Sequence, residues 1–449
     1  MTRGMRSRAA RLAGIVAVVG ALLAPSTSSV ARAADPVPRF SRIMVVVIEN
    51  QSFTDIFEKN PAAHYILDQL TPQSALATRF YPPKRNSPTA YFAITSGFTY
   101  ADGDSGNWAG KCGPSTACSA KDPTVFQQLV GAGGSWRIYS EDQQQPCQTT
   151  LVKKYWVGHN PAVFYPALGP NSYTTTGDGS CREYDISFNE LRSDLASGTV
   201  PAYSLVIPNN CNNMHDACYP VHDRVAQGNA WLEKAMKGDE LVAGGLIQWV
   251  QQNDTLLVIT FDEARLDTDR EGCCPYRKTG GGGHVPMWVI GPADKVQPGT
   301  RSKVQLSTFS ILRTVEENWG LPLLGHAADP VNVGLGSLLV PARQAQAIPS
   351  FPPTGSSGQP SSPPSSQPAN ASPSASGGAV PAQGSSPGAA TIPPVAIAPQ
   401  PTGASSTPGW MVAAMIVAAL AVLGAIGFAV FRRRASDAGK TGGGPAARG

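Results

Sequence analysis

Among the eight cysteines of this 449-residue chain there is no Cys-x-x-Cys pair of the zinc-binding type, which argues against a zinc-finger-like module. Charge is scarce as well: Asp, Glu, Lys and Arg make up 15% of the residues, and the formal net charge is only +4. Basic and aromatic residues are not interleaved, so nucleic acid is not an implied partner. Residues 346–408 are mostly Pro, Ser, Ala and Gly. Such a segment cannot bury enough apolar surface to fold and is expected to be a disordered, extended stalk. The stretch 410–431 has no charge and no polar face. As a helix it would be ~33 Å long at ~1.5 Å per residue, enough to cross a bilayer.

The flanks of these segments give a topology. Residues 1–34 place Arg3, Arg6, Arg8 and Arg11 before the apolar run Leu12–Leu23 and end in Ala31-Arg32-Ala33, the layout of a secretory signal. Arg432, Arg433 and Arg434 directly follow the apolar stretch and should hold residues 432–449 in the cytoplasm. The expected product is a single-pass cell-membrane protein: signal peptide 1–34, extracellular domain 35–345, stalk 346–408, transmembrane helix 409–431 and cytoplasmic tail. All eight cysteines lie in the domain, which in an oxidising exterior suggests disulfides. Their pairing is open among 105 connectivities, although Cys211 and Cys218 would staple a short loop.

Within the domain, Arg42–Ile48 is an unbroken apolar run ending in Glu49 and Asn50. A run without alternation reads as a strand covered on both faces, the usual state in a parallel sheet, and ligands bind beyond the carboxyl ends of such strands. Leu256–Phe261 repeats the pattern and ends in Asp262 and Glu263. Further strands are expected at Trp136–Tyr139, Ala202–Ile207 and Val285–Ile290, and helices near Pro61–Leu70, at Val225–Met236 and at Thr308–Trp319. Strands alternating with helices predict an α/β domain, a mainly parallel sheet with helices on both faces. Ser87 precedes Pro88 and reads as a helix N-cap with proline in the first helical position.

Glu49, Asn50, Asp262 and Glu263 supply hard oxygen donors suited to a divalent cation, and His215 and His284 offer imidazoles. A serine at a helix start beside such a cation loses its proton more readily, which is equipment for phosphoryl transfer through a phosphoserine. His64, His222 and His326 read as surface or core residues. Gly103-Asp-Ser105-Gly106 with Ala62-Ala-His64 imitates a serine protease, but too little chain separates them for the barrels that hold such a triad apart.

Ile48-Glu49-Asn50-Gln-Ser52-Phe53, Ala93-Ile-Thr-Ser-Gly97, His159-Asn160-Pro161, Pro208-Asn209 with Met214-His215-Asp216, Ile259-Thr-Phe-Asp262-Glu263, Gly282-Gly-His284-Val-Pro286 and Ser310–Glu316 occur in one order. In that order they resemble the phosphoesterase family of bacterial phospholipases C and acid phosphatases, with an alkaline-phosphatase-like fold. The resemblance implies hydrolysis of a phosphate ester. It further implies Glu49, Asn50, Asp262, Glu263 and His284 as ligands of a divalent metal, Ser87 as nucleophile, and His159 and His215 as catalytic residues. Departures from the family pattern are visible. Where shorter members read His-Pro-Ser-x-Pro-Asn-Tyr this chain has Arg85-Asn86-Ser87-Pro88-Thr89-Ala90-Tyr91, leaving Thr89 as a second candidate nucleophile. Asn213 and Asn229 stand where the family has Asp. A phospholipase C-type phosphodiesterase and a catalytically weakened surface-display protein are therefore the alternatives to an acid-phosphatase-like enzyme.

Overall fold

The computed structural model describes residues 37–353 apart from 59, 100–112, 116–117, 239, 266–270, 272–280, 343 and 345. The expected leader, membrane span and tail, most of the stalk and the Gly103–Gly106 motif lie outside the described residues. Contacts divide the chain into Met1–Ser362 and Pro363–Gly449, and the second unit is wholly outside them. Among the described residues no helix is long and apolar enough to cross a membrane. Gln346 and Phe351, at the start of the expected stalk, belong to the first unit and pack within it. The Gln346 side-chain carbonyl accepts the Arg39 N–H at 2.7 Å, and the Phe351 ring stacks on Trp319.

The strands are β1 (Arg42–Ile48), β2 (Ala75–Tyr81), β3 (Trp136–Ser140), β4 (Asp185–Ser187), β5 (Tyr203–Ile207), β6 (Thr255–Phe261), β7 (Val285–Ile290), β8 (Arg301–Ser302) and β9 (Leu306–Ser307). They form one sheet in the order β4-β3-β5-β1-β6-β7-β2-β8, with β9 also on β2. Pairing is parallel throughout except where β7 meets β6 and β2. The helices are α1 (Phe53–Phe57), α2 (Ser87–Thr95), α3 (Val125–Gly131), α4 (Ser180–Tyr184), α5 (Asn189–Ser197), α6 (Arg224–Lys237), α7 (Gly245–Gln252) and α8 (Thr308–Trp319).

The unbroken apolar runs are buried for the expected reason. Every residue of β6 is buried, as is every residue of β1 after Arg42, so both faces of the central strands are covered. This is a mixed α/β fold around a central sheet. The parallel register pairs Ile48 with Phe261, and the Asp262 N–H donates to the Ile48 carbonyl at 2.9 Å. The two strands therefore end level, and the residues that follow them emerge side by side. On the other flank β1 pairs with β5, and the Glu49 N–H donates to the Asn213 carbonyl at 2.7 Å. That bond brings the segment after β5 to the same edge.

One local expectation is refined and one is corrected. Residues 61–70 are helical throughout, as expected, but the winding is mixed: a 3-10 turn at Pro61–Ala63, two α-helical residues and a π-helical turn at Ile66–Leu70. The Asn60 side chain caps the first by accepting the Ala62 N–H. Asn229 on α6 accepts the Ile66 N–H at 3.1 Å, which fixes where the wider turn begins. Ser87 is the first helical residue rather than the cap. The cap is Asn86, at φ 145°, a backbone conformation that residues other than glycine seldom adopt.

Candidate active site

Glu49 lies at the centre of the site, fully buried at the end of β1. Its carboxylate accepts the Ser87 hydroxyl at 3.1 Å and the Tyr91 hydroxyl at 2.8 Å. Ser87 and Tyr91 stand one helical turn apart on α2 and so share a face. The Asn50 side-chain amide donates to the same carboxylate at 3.3 Å, and the Asn50 N–H donates to Asp262 Oδ1 at 3.1 Å. Asn50 sits at φ 53°, a left-handed conformation that asparagine tolerates and that turns the chain sharply after the strand. Glu263 Oε2 accepts the Asn86 N–H at 2.6 Å and so ties the start of α2 to the end of β6. Ser52, the other polar residue of the first motif, caps α1 in a reciprocal arrangement with Asp55.

Three buried carboxylates beside one another are costly, and their proton affinities respond. Burial pushes Glu49 up to about 7, opposed by hydrogen bonds from its neighbours. Burial raises Asp262 well above the carboxylate range, with the adjacent Glu49 charge adding to it. Burial and the Asp262 charge take Glu263 to about 8. Asp262 Oδ2 is buried with no hydrogen-bond partner among the described residues. A divalent cation offsets this combination: hard oxygen donors, mutual repulsion and an unused buried oxygen. The donor types of Glu49, Asn50, Asp262 and Glu263 suit one, although Glu49, Asp262 and Glu263 do not each bring an oxygen within 4.8 Å of the others in this structure.

The histidines divide. His159 is buried, its Nε2 stands 3.1 Å from Glu49 Oε1, and burial lowers its pKa to about 3, which keeps the imidazole neutral. The approach to Glu49 is off the line a hydrogen bond needs, so Nε2 has no hydrogen-bond partner among the described residues. His159 is held by its neighbour Asn160, whose amide donates to both oxygens of buried Asp185 at 2.8 Å. His215, half exposed, has Nδ1 2.8 Å from Asp216 Oδ1, and its ring centroid lies 6.1 Å from that of His159. His284 is turned toward the sheet. Its Nε2 is 2.9 Å from the Thr78 carbonyl oxygen and its ring stacks on Phe53 and Tyr81.

Ser87, His159, His215, Glu49, Asn50, Asp262 and Glu263 therefore come together, while the contacts of His284 tie it to β2 and α1. Thr89 Oγ1 is buried without a hydrogen-bond partner among the described residues. Asn213 Oδ1 accepts the His215 N–H at 2.9 Å, and its buried Nδ2 has no such partner. Tyr91 and Asp185 are neighbours of the site to which the sequence assigns no role: Tyr91 marks Ser87 by its four-residue spacing, whereas nothing in the sequence joins Asp185 to Asn160. Cys147 and Cys181 also lie close to Asp185. They form a disulfide, as do Cys211 and Cys218, so this group offers no thiolate to a metal.

The phosphoesterase family model matches residues 59–322 of the chain. A phosphatidylinositol-3-phosphatase of Mycobacterium tuberculosis is 26% identical over 340 residues, covering 73% of this chain and 97% of that protein. An acid phosphatase of Aspergillus fumigatus is 27% identical over 297 residues, 64% of this chain, and the match spans only 56% of the fungal protein. Among solved structures, an alkaline phosphatase superfamily protein from Vibrio parahaemolyticus aligns with a TM-score of 0.40 at 13% identity, covering 67% of this chain and 71% of that one.

Proposed function

The chain belongs to the phosphoesterase family and is a phosphate ester hydrolase, and from that premise we propose a metal-dependent, acid-phosphatase-like enzyme that works through a phosphoserine on Ser87. The observation that carries this reading is the Ser87 hydroxyl at the start of α2, donating to a carboxylate that shares its pocket with Asp262 and beside Glu263. A divalent cation held by Glu49, Asn50, Asp262 and Glu263 would lower the proton affinity of the serine hydroxyl and hold charge on the phosphoryl oxygens. Ser87 Oγ, its hydrogen already directed at Glu49, attacks phosphorus as the ester oxygen leaves. The positive end of the α2 dipole would favour the phosphoryl group, although Pro88 carries no N–H and the Thr89 N–H is bonded to the Asn86 carbonyl. Neutral His159, 3.1 Å from Glu49 but not hydrogen-bonded to it, would contact the phosphoryl oxygens. His215, at the open side and paired with Asp216, gives a proton to the departing oxygen and later takes one from the water that hydrolyses the phosphoserine.

Both relatives are named as phosphatases, which favours monoesters over the diesters of a phospholipase C. A panel of phosphomonoesters, diesters and phospholipids, assayed with and without chelator, tests the reading. Turnover is expected to be greatest on a monoester and to fall at least ~100-fold on chelation, as befits loss of the principal charge stabiliser. Turnover indifferent to chelator would reject the metal. No turnover of any ester would favour the second reading, a weakened protein in which Asn213 supplies an uncharged amide where the family pattern has a carboxylate.

We further propose that the domain is displayed outside the cell on the stalk and anchored by residues 409–431, on the strength of the leader-like start and the arginines after the apolar stretch. Brief protease treatment of intact cells is expected to release active domain into the medium. A domain that stays protected until the cells are lysed would count against this topology.

A further inference from the structure

Trp156 immediately precedes the 3-10 turn Val157–His159, and its ring meets both imidazoles assigned to the reaction. Its centroid lies 4.4 Å from that of His159, edge to face at 78°, and 6.5 Å from that of His215, with the planes 25° apart. The first contact follows from the turn. The His159 N–H donates to the Trp156 carbonyl at 3.1 Å, and side chains three residues apart in this winding eclipse one another. Residue 158 lets the indole fold back over the chain. A Cβ there would fall 2.5 Å from Trp156 Cη2 and 2.6 Å from Cζ3, so glycine leaves the space that the ring fills.

The two histidines depend on this ring unequally. His159 is buried, and Asn160 beside it is locked to Asp185. The backbone of His215 is fixed as well, since its N–H donates to Asn213 Oδ1 at 2.9 Å. The His215 ring is held by less. One bond joins Nδ1 to Asp216, the next residue in the chain and itself exposed, and the ring contacts of His215 among the described residues are those with Trp156 and His159. An imidazole tied at one nitrogen to a mobile side chain can still turn, and the neighbouring indole limits that turning. Trp156 is kept beside it by the backbone: the Asn210 N–H donates to the Lys154 carbonyl at 3.0 Å, joining the segment before Trp156 to the loop that carries His215, and the Cys211–Cys218 disulfide closes that loop.

We propose that Trp156 is a positioning residue: its indole, seated over Gly158, holds the His215 ring at the angle from which Nε2 delivers a proton to the departing alcohol. This inference rests on the phosphoserine reading of the site, in which His215 is the proton donor. In that step Ser87 Oγ bonds to phosphorus, the bond from phosphorus to the alcohol oxygen breaks, and the electron pair left on that oxygen takes the proton from Nε2. The proton is regained from the water that later hydrolyses the phosphoserine. Asp216 engages Nδ1, which leaves Nε2 for this transfer. The need for the proton depends on the alcohol. An alkoxide is a poor leaving group and requires it, whereas a dinitrophenolate departs as the anion. A residue that acts through His215 therefore matters for the first ester and hardly for the second, while one that only supports the fold matters equally for both.

The test measures kcat/KM for an alkyl phosphate and for a dinitrophenyl phosphate in the activating divalent cation, with inorganic phosphate as the competing inhibitor. This ratio covers only the steps through departure of the alcohol, so the later hydrolysis of the phosphoserine does not enter it. Trp156 is partly exposed and lies outside the buried core, so it can be replaced without opening that core. Trp156→Ala should lower kcat/KM for the alkyl ester by about 100-fold, the cost of a misplaced general acid. The dinitrophenyl ester and the inhibition by phosphate should change by less than about threefold. Trp156→Phe keeps a ring and should recover the alkyl ester to within about tenfold of the wild type. Gly158→Ala keeps the indole but displaces it, and should also lose the alkyl ester selectively; it carries the test if Trp156→Ala does not fold. In a His215→Ala background, Trp156→Ala should cost less than about threefold more, because the two residues act as one unit. Equal losses on the two esters, an alkyl-ester loss that adds in full to that of His215→Ala, or unchanged turnover in a folded Trp156→Ala would overturn the proposal. A wild type that hydrolyses neither ester would instead remove the phosphoserine reading, and this inference with it.

Discussion

Ser87→Ala is expected to lower turnover by at least ~10⁴-fold, in line with removal of a covalent nucleophile, and to leave the melting temperature close to that of the wild type. The side chain is small, its Oγ makes one hydrogen bond to Glu49, and alanine suits the first turn of a helix better than serine does. Thr89→Ala is the control. Thr89 sits two residues further along, within the first turn and fully buried, and its hydroxyl meets no carboxylate. Its loss should leave turnover within about tenfold of the wild type, the cost of a small repacking at the base of the site. The distinction rests on what each hydroxyl touches: only Ser87 donates to the carboxylate expected to carry the metal. If Thr89→Ala were the dead variant and Ser87→Ala the active one, the nucleophile would move to Thr89.

Asp262→Asn is expected to give opposite signs for function and stability. Asparagine keeps the oxygen that accepts the Asn50 N–H and places an amide beside Glu49, but it removes a charged donor from the cation site. Turnover and metal binding should fall by at least ~100-fold. The metal-free variant should nevertheless melt a few degrees higher than the metal-free wild type at neutral pH. The sign follows from linkage. Burial raises Glu49 to about 7, and burial together with the Glu49 charge raises Asp262 well above the carboxylate range. Between about pH 4, where the unfolded chain ionises, and about pH 7, the unfolded chain has given up protons that the folded pair still holds. The wild type therefore loses stability as pH rises through that window. The variant lacks one of the two groups and loses less, so the gap should open above about pH 4 and close below it. Saturating divalent cation should reverse the order by stabilising the wild type through binding. Differential scanning calorimetry across pH, with and without metal, reads all three effects. A variant no more stable than the metal-free wild type at neutral pH would mean that the carboxylates do not oppose folding.

The parts of the fold that could be read from the sequence are those where burial and local pattern agree. Strands β1, β6 and β7 are unbroken apolar runs, and α8 shows a helical spacing of apolar residues. All four appear where the sequence put them. β2 was missed because Thr78 and Arg79 interrupt its apolar pattern, and it is made a strand by partners distant in sequence, β7, β8 and β9. The helix expected at Pro61–Leu70 is present, but its widening to a π-helical turn from Ile66 goes with a long-range acceptor, Asn229, for the Ile66 N–H, which no local pattern signals. At the site, the carboxylates were legible because strand ends in a parallel sheet converge. The orientation of His284 was not, because the Thr78 carbonyl and the rings of Phe53 and Tyr81 that hold it come from three separate segments. The one-residue shift of the helix start depends on the unusual backbone of Asn86, which no local preference signals.

The most direct measurement is a search for phosphate on the serine itself. The enzyme would be mixed with an aryl phosphate monoester and divalent cation, quenched in acid within a turnover, digested, and the peptide containing residues 86–95 sequenced by mass spectrometry. The account predicts one phosphoryl group on Ser87, absent when chelator is added before substrate and absent in Ser87→Ala. Sustained turnover with an unmodified Ser87, or with the phosphoryl group on Thr89, would contradict it.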